Sequence, residues 1–409
     1  MATDTASPAR GTIRSQWRTL ADSPMTPYWA IVFSVAVLVS LGSMMVLSAS
    51  SVLALDRGVD PYFYVIRQLR FLAVGTICAI IVSRLKPDVL RRLGWLAWGA
   101  TVLLLLLVVL IGESVDGNQN WVSIAGIQFQ PSEFAKLALI LWSGAVLHSK
   151  RGRLDEPLRV LLPVVLLGGV IILLVLAGRD LGTGIILGLI MVLILWFVGT
   201  PLRIMAPIGA LIAGGAALLV YGSGNRMSRI AIFLDPQSNT DLSSQPMSAL
   251  YALASGGWWG LGLGASRQKY GGLKTGAHTD YIFAVIGEEL GLFGVLLVIA
   301  LFAMLGWAGL AVAMRSDKLF NKIVAAGITG WFLTQAVINI FVVMHLLPVL
   351  GVPLPFISYG GSALLATLMG TGVLLALARD TPAARAHLAA RRSRRRPRMT
   401  SVMAATRED

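Results

Sequence analysis

Runs of about 20 apolar residues recur along this chain, each closed by a short polar break, and that alternation predicts ten membrane-spanning helices. The predicted spans lie near 28–50, 67–83, 93–112, 131–147, 158–177, 183–199, 204–221, 281–314, 322–344 and 360–378. Only Gly178-Arg179-Asp180 separates the fifth from the sixth, and the eighth is long enough to project, tilt or break. Gly184 and Gly188 in the sixth form a GxxxG pair, the mark of a close-packing face. The longest connection, 222–280, falls between helices seven and eight, and loops of that length in a compact protein are usually functional. The predicted fold class is an all-α polytopic integral membrane protein. A membrane domain covers 28–378, preceded by a basic arm (1–27) and followed by a basic tail (379–409) expected to lack structure.

Composition agrees with the pattern: 56% of the 409 residues are hydrophobic and 13% are charged, with a mean hydropathy of +0.76. The formal charge of +14 would suggest nucleic acid in a soluble protein, but its placement excludes that partner. From Arg379 to Asp409 there are nine Arg against three acids, so this tail alone carries +6, and a basic tail after a final helix suits anionic lipid. Arg84, Lys86, Arg91 and Arg92 follow helix two; Lys150, Arg151, Arg153 and Arg159 follow helix four; Arg315, Lys318 and Lys322 follow helix eight. With Arg10, Arg14 and Arg18 ahead of helix one, all of these fall on one side, which the positive-inside rule makes the cytoplasm, with both termini there. The N-terminal stretch shows no cleavage pattern, so the first run is expected to stay as a helix. The one cysteine, Cys78, permits no internal disulfide, and His148, His278, His345 and His387 show no metal-ligand spacing. Nothing in the pattern asks for an organic cofactor.

Ionisable residues at membrane depth are costly, so they are the informative ones. They gather in four constellations on the side opposite the basic loops. The first is Asn120-Trp121 leading to Gln130-Pro131-Ser132-Glu133-Phe134-Ala135-Lys136, where Glu133 and Lys136 share a helix face. They read either as a mutual ion pair or as a lysine able to hold a phosphate. The second is Arg179-Asp180 before Leu181-Gly182-Thr183-Gly184, best read as an intraloop salt bridge on a glycine turn. The third is the long loop, with Arg226, Arg229, the run Gly256-Gly257-Trp258-Trp259-Gly260-Leu261-Gly262-Leu263-Gly264, Ser266-Arg267-Gln268-Lys269, His278-Thr279-Asp280 and Glu288-Glu289. Its glycines lack the preceding strand and spacing of a dinucleotide fingerprint. Asp280 stands where polar loop meets apolar helix, as a helix-terminal charge or a general base. The fourth is Asn339, then Pro348, Pro353 and Pro355, then Ser358-Tyr359-Gly360-Gly361-Ser362. Three prolines in eight residues cannot be regular helix, and such backbone at membrane depth must line protein or a wet cavity.

Together these strings resemble the SEDS family of bacterial cell-wall polymerases, the family of FtsW, RodA and SpoVE. The matching stretches are 130–136, 277–283 with 287–291, and 353–362, in order within a resemblance covering about 28–379. The resemblance implies peptidoglycan glycosyltransferase activity on lipid II, in the bacterial plasma membrane. It also implies a class B penicillin-binding protein as partner, with other division membrane proteins. It places the catalytic carboxylate at Asp280, an important loop Trp at Trp121 and the cavity acid and lysine at Glu133 and Lys136. Ser132, His278, Glu288 and Ser358 come with the same strings as candidate substrate contacts. The cytoplasmic extensions and the wording around Asp280 look more like the septal FtsW branch than RodA. One departure is that many members carry Leu-Pro-Glu-Ala before the His-Thr-Asp, where this chain has Leu273-Lys274-Thr275-Gly276-Ala277.

The chemistry of lipid II asks for a lipid-exposed bundle, a cationic grip on pyrophosphate and one base. Lys136, Arg229 and Lys269 are the candidate cations, with a divalent cation (magnesium or manganese) as a further possibility. Two other readings stand beside the polymerase. A lipid flippase would need charge spread through the midplane, whereas helices three, five and seven are almost uncharged. A non-catalytic division scaffold would need only the tails.

Overall fold

The computed structural model describes residues 23–115, 118–124, 127–153, 157–236, 240–273 and 275–395. The arm residues Arg10, Arg14 and Arg18, the inserted Lys274, the Arg159 side chain and the tail beyond Arg395 lie outside the described residues.

Helices dominate. In chain order they are α1 (Thr26–Asp56), α2 (Phe63–Ser83), α3 (Pro87–Ile111), α4 (Pro131–Ser149), α5 (Pro157–Ala177), α6 (Leu181–Phe197) and α7 (Leu202–Tyr221). Then come α8 (Gly224–Leu234), α9 (Thr240–Ser255), α10 (Ile282–Arg315), α11 (Leu319–Val343), α12 (Gly361–Arg379) and α13 (Pro382–Arg395). By length and composition seven of these, α1, α2, α3, α7, α10, α11 and α12, are able to cross a membrane. The predicted fourth span, α4, falls outside that group, and α5 and α6 offer shorter apolar stretches of 17 residues. The chain is a multi-pass membrane protein.

Burial separates two classes of helix. From Pro131 to Leu147 every residue of α4 except Phe134 is buried, so α4 is a central post despite carrying Glu133 and Lys136. α2, α3 and α7 instead expose large side chains such as Ile77, Leu96, Leu110, Leu211 and Leu218. Where the surrounding solvent is hydrocarbon, an exposed leucine costs nothing, and helix contacts need small residues or polar links instead. Gly184 faces the Leu176 side chain of α5 and Gly188 faces Ile212 of α7, so the GxxxG pair serves two neighbours rather than one.

Three features depart from the expected arrangement of unbroken spans, open loops and an unstructured tail. The connection 113–130 is a three-stranded antiparallel meander, β1 (Glu113–Val115), β2 (Asn118–Ile124) and β3 (Ile127–Phe129), with Trp121 opposite Glu113 and Val122 opposite Phe129. The basic tail, expected to be unstructured, continues as α13 to Arg395, joined to the bundle by an Arg385–Asp317 ion pair of 2.6 Å.

The third is a break inside α10. Gly291 sits at φ +65°, a conformation open to glycine. The glycine run of the long loop lies against this break and takes up its backbone: Leu261 N donates to Glu288 O, Gly262 N to Glu289 O, and Leu292 N to Gly257 O. A Cβ at Gly260 would collide with the Glu289 carbonyl, so these glycines serve backbone-to-backbone approach.

Candidate active site

The Pro-rich stretch between α11 and α12 is the hub of the candidate site. Asn339 and Gln335, one turn apart on α11, hold it by its carbonyls: Asn339 Nδ2 donates to Val352 O (2.8 Å) and Gln335 Nε2 to Pro353 O (2.9 Å). Asn339 Nδ2 also donates to the Asp280 carbonyl at 2.8 Å, so one amide joins the wall to the loop that ends in Asp280. Gly351, at φ +68°, packs so that a Cβ there would stand 3.8 Å from Asp280 Oδ2. Asp280 itself is half-buried at the mouth of α10.

Ser358 clasps the same loop. Its Oγ donates to Thr279 O (2.7 Å) and accepts from Leu354 N (2.8 Å), while Tyr359 N donates to His278 O (2.8 Å). The His278 ring lies between Tyr64 and Tyr359, with centroids 5.1 and 5.3 Å away. Burial, with the Arg57 charge adding to it, lowers His278 to about 4, so the ring is neutral at physiological pH. An unfolded chain takes up a proton there near 6.5 while the folded one does not. Stability is therefore expected to fall as pH drops from about 6.5 towards 4, and the slope to flatten in His278→Phe, as read from unfolding midpoints across that range.

Arg229 Nη1 approaches Val349 O at 3.5 Å, so its guanidinium stands beside the stretch whose Gly351 packs on Asp280. Arg226 donates to the Arg179 carbonyl (2.7 Å), and burial first, then Arg229 and Arg179, draw its pKa below the ordinary value while Asp180 opposes. Three guanidinium groups thus share one end of the bundle. Among the described residues the non-glycine positive-φ positions are Arg179, His345 and Phe356. All three lie in the α5–α6 turn or the Pro-rich stretch, where backbone strain is held in place by the contacts around it.

Asp180 does not form the expected intraloop pair with Arg179. Its Oδ1 caps α6 through Thr183 N (3.0 Å), and its Oδ2 accepts from Asn120 Nδ2 (3.1 Å), Gln130 Nε2 (3.2 Å) and Ser132 Oγ (3.2 Å). It therefore ties the meander carrying Trp121, itself half-buried, to the head of α4.

The other candidates are occupied by neighbouring side chains. Lys136 Nζ reaches both Glu133 oxygens at 2.9 Å and Gln335 Oε1 at 3.0 Å, which uses its three donors. Through Gln335 that buried pair connects to the Pro-rich wall. Lys269 Nζ bonds Glu289 Oε1 (3.0 Å), Gly264 O (2.7 Å) and Ser48 Oγ (3.2 Å). Glu288, fully buried, accepts from Ser266 Oγ and Arg267 N. Lys269 and Glu288 thus belong to a joint that fixes the long loop to the broken helix. Among the described residues no three His, Cys, Asp or Glu side chains group as a metal site.

Sequence reasoning passed over Gln335, Asp180 as a hub, and Arg179 as a cation of the site. Gln335 was open to discovery, because a polar residue four positions before Asn339 on an apolar helix marks one face.

The sequence model of the FtsW/RodA/SpoVE family, described as "Cell cycle protein", matches residues 28–382. The chain belongs to that family. It is 35% identical to the "Probable peptidoglycan glycosyltransferase FtsW" of Mycobacterium tuberculosis over 95% of this chain and 75% of that protein. It is 34% identical to the "Stage V sporulation protein E" of Bacillus subtilis over 87% of this chain and 97% of that one. Among solved structures, a chain of a peptidoglycan synthase complex described as coordinating polymerization and crosslinking superposes with a TM-score of 0.72 at 29% identity, over 87% of this chain and 98% of that chain. Thermus thermophilus RodA gives 0.64 at 29% identity, over 87% and 97%.

Proposed function

We propose that this FtsW/RodA/SpoVE family member is a peptidoglycan glycosyltransferase that polymerises lipid II on the outer side of the bacterial plasma membrane. In this reading ten helices span the bilayer, α4, α5 and α6 included, and both termini are cytoplasmic. The observation that carries it is Asp280, a half-buried acid at the mouth of α10 whose backbone carbonyl is held by Asn339, at the end of an apolar bundle that also carries Arg179, Arg226 and Arg229.

Asp280 takes the proton from the 4-hydroxyl of the acceptor sugar as that oxygen attacks the anomeric carbon of the donor. The new C1–O4 bond forms as the C1–O bond to pyrophosphate breaks, which inverts an α-linked donor to a β-linked product. Pyrophosphate needs no protonating acid to leave, so one carboxylate suffices where ordinary glycosidases use two. Arg179, Arg226 and Arg229 supply the countercharge, because Lys136 and Lys269 are spent on buried carboxylates. A divalent cation, when bound, would add to that countercharge on the departing pyrophosphate. An apolar cleft of about 310 Å³ beside Phe283 and Gly291 offers a place for the prenyl chain next to the Asp280 helix.

The FtsW-named relatives support a septal role, and the solved synthase complex that coordinates polymerization and crosslinking supports a penicillin-binding transpeptidase as partner. The purified chain with such a partner in proteoliposomes is expected to convert fluorescent lipid II into long glycan strands. Rapid transbilayer movement of lipid II with no polymer would make it the flippase instead. The placement of the candidate groups favours polymerisation, since Asp280 and the three arginines lie at one end of the bundle instead of being spread through its midplane.

A further inference from the structure

The end of the bundle opposite Asp280 contains a polar cavity. The start of α3, the end of α4 and the start of α11, each marked basic by the sequence, meet there around a space of about 220 Å³. Arg91, Arg151 and Lys318 line it with His148 and Asn321, and Asp88 is the one carboxylate on the wall. The counterions are poorly matched. Arg91 approaches Asp88 only at 3.4 Å with the acid 64% exposed, and Lys318 leans at 3.1 Å towards Asp380, which Arg385 also approaches.

Two buried polar atoms there have no partner. Asn321 is 0% exposed and uses its Nδ2 on Asp380, which leaves Oδ1 unsatisfied; His148 Nδ1 is likewise unsatisfied. Buried polar atoms without partners are rare in native proteins and ask for an occupant. A bare anion would satisfy the cations and leave the Asn321 acceptor orphaned. A phosphate carrying a hydroxylated group would satisfy both. Arg91 sits in the first turns of α3, where Leu93 and Leu96 are 38% and 70% exposed, so apolar surface follows directly on the cavity wall.

We propose that this cavity binds a phosphate-bearing anion, and that its source is the phosphoglycerol headgroup of a neighbouring membrane lipid. Basic pockets between the ends of membrane helices bind such headgroups through the same combination of charge and hydrogen bonding. The site lies apart from Asp280 and does not depend on the polymerase reading. Bound lipid would tie α3, α4 and α11 together at their basic ends, and α4 and α11 are the helices that carry Lys136 and Gln335.

The test uses the full-length chain in nanodiscs containing phosphatidylglycerol and phosphatidylcholine, with retained lipid read by native mass spectrometry. The wild type is expected to keep phosphatidylglycerol selectively, and Arg91→Gln with Arg151→Gln to lose that selectivity about tenfold or more. Arg84→Gln with Arg92→Gln, bases at the same end but outside the cavity wall, should keep it. Unchanged thermal midpoints in detergent would show that the cavity variant is folded. Equal retention of the two lipids by the wild type, or equal selectivity in the two double variants, would overturn the proposal. Saturable binding of inorganic phosphate, lost in the cavity variant and unaccompanied by retained lipid, would support the anion site and overturn the lipid as its source.

Discussion

Lys136→Met is expected to destabilise the bundle by about 3–5 kcal/mol, the cost of breaking a buried pair and leaving one charge behind. The Lys136 and Glu133 side chains are 1% and 3% exposed, so water cannot compensate the stranded carboxylate. Gln335 would lose the donor to its Oε1, keeping only Trp331 Nε1 at 2.8 Å, and its grip on the Pro353 carbonyl would loosen. The double variant Lys136→Met with Glu133→Gln should recover much of that stability, because no charge then remains unpaired. Activity would not recover to the same extent, since the Pro-rich wall still loses part of its support. Unfolding midpoints in detergent check the first effect and glycan yield the second. A double variant no more stable than the single one would contradict this account of the pair.

Asp280→Asn is expected to lower polymerisation by about 10²–10⁴-fold, the range general-base catalysis contributes. The amide preserves shape and leaves the backbone carbonyl that receives Asn339 in place, so the fold and the wall should persist. The fall should appear in turnover, with lipid II binding little altered, because the substrate's charge is met by the arginine cluster. Arg226→Gln, by contrast, should weaken lipid II binding while leaving the base intact.

The membrane helices were legible because a run of about 20 apolar residues has few alternatives, and the basic loops identified which ends share a side. The Glu133–Lys136 pair was open to reading as well, being local and on one helix face. The β meander escaped because strands of 3 to 7 residues rich in Asn, Gln and Ser carry little period-2 hydrophobic signal. Asp180 escaped for another reason: Asn120, Gln130 and Ser132, its partners, are 60, 50 and 48 residues away, and its sequence neighbour Arg179 offered a simpler pairing. Lys269 read as a free outer-side cation because its acceptors, Ser48 and Glu289, come from α1 and α10. The glycine run lacked the spacing of a nucleotide fingerprint, and its structural use followed only from the break at Gly291 and the backbone groups exposed there.

The claim on which the account rests is that Asp280 performs the chemical step. Its most direct test is polymerisation of purified lipid II in proteoliposomes holding this chain and its transpeptidase partner, comparing wild type with Asp280→Asn at matched insertion and matched lipid II binding. Long glycan strands are expected from the wild type, and a polymer yield lower by about 10²–10⁴-fold from the variant. Strands of equal length and yield from both would contradict that claim.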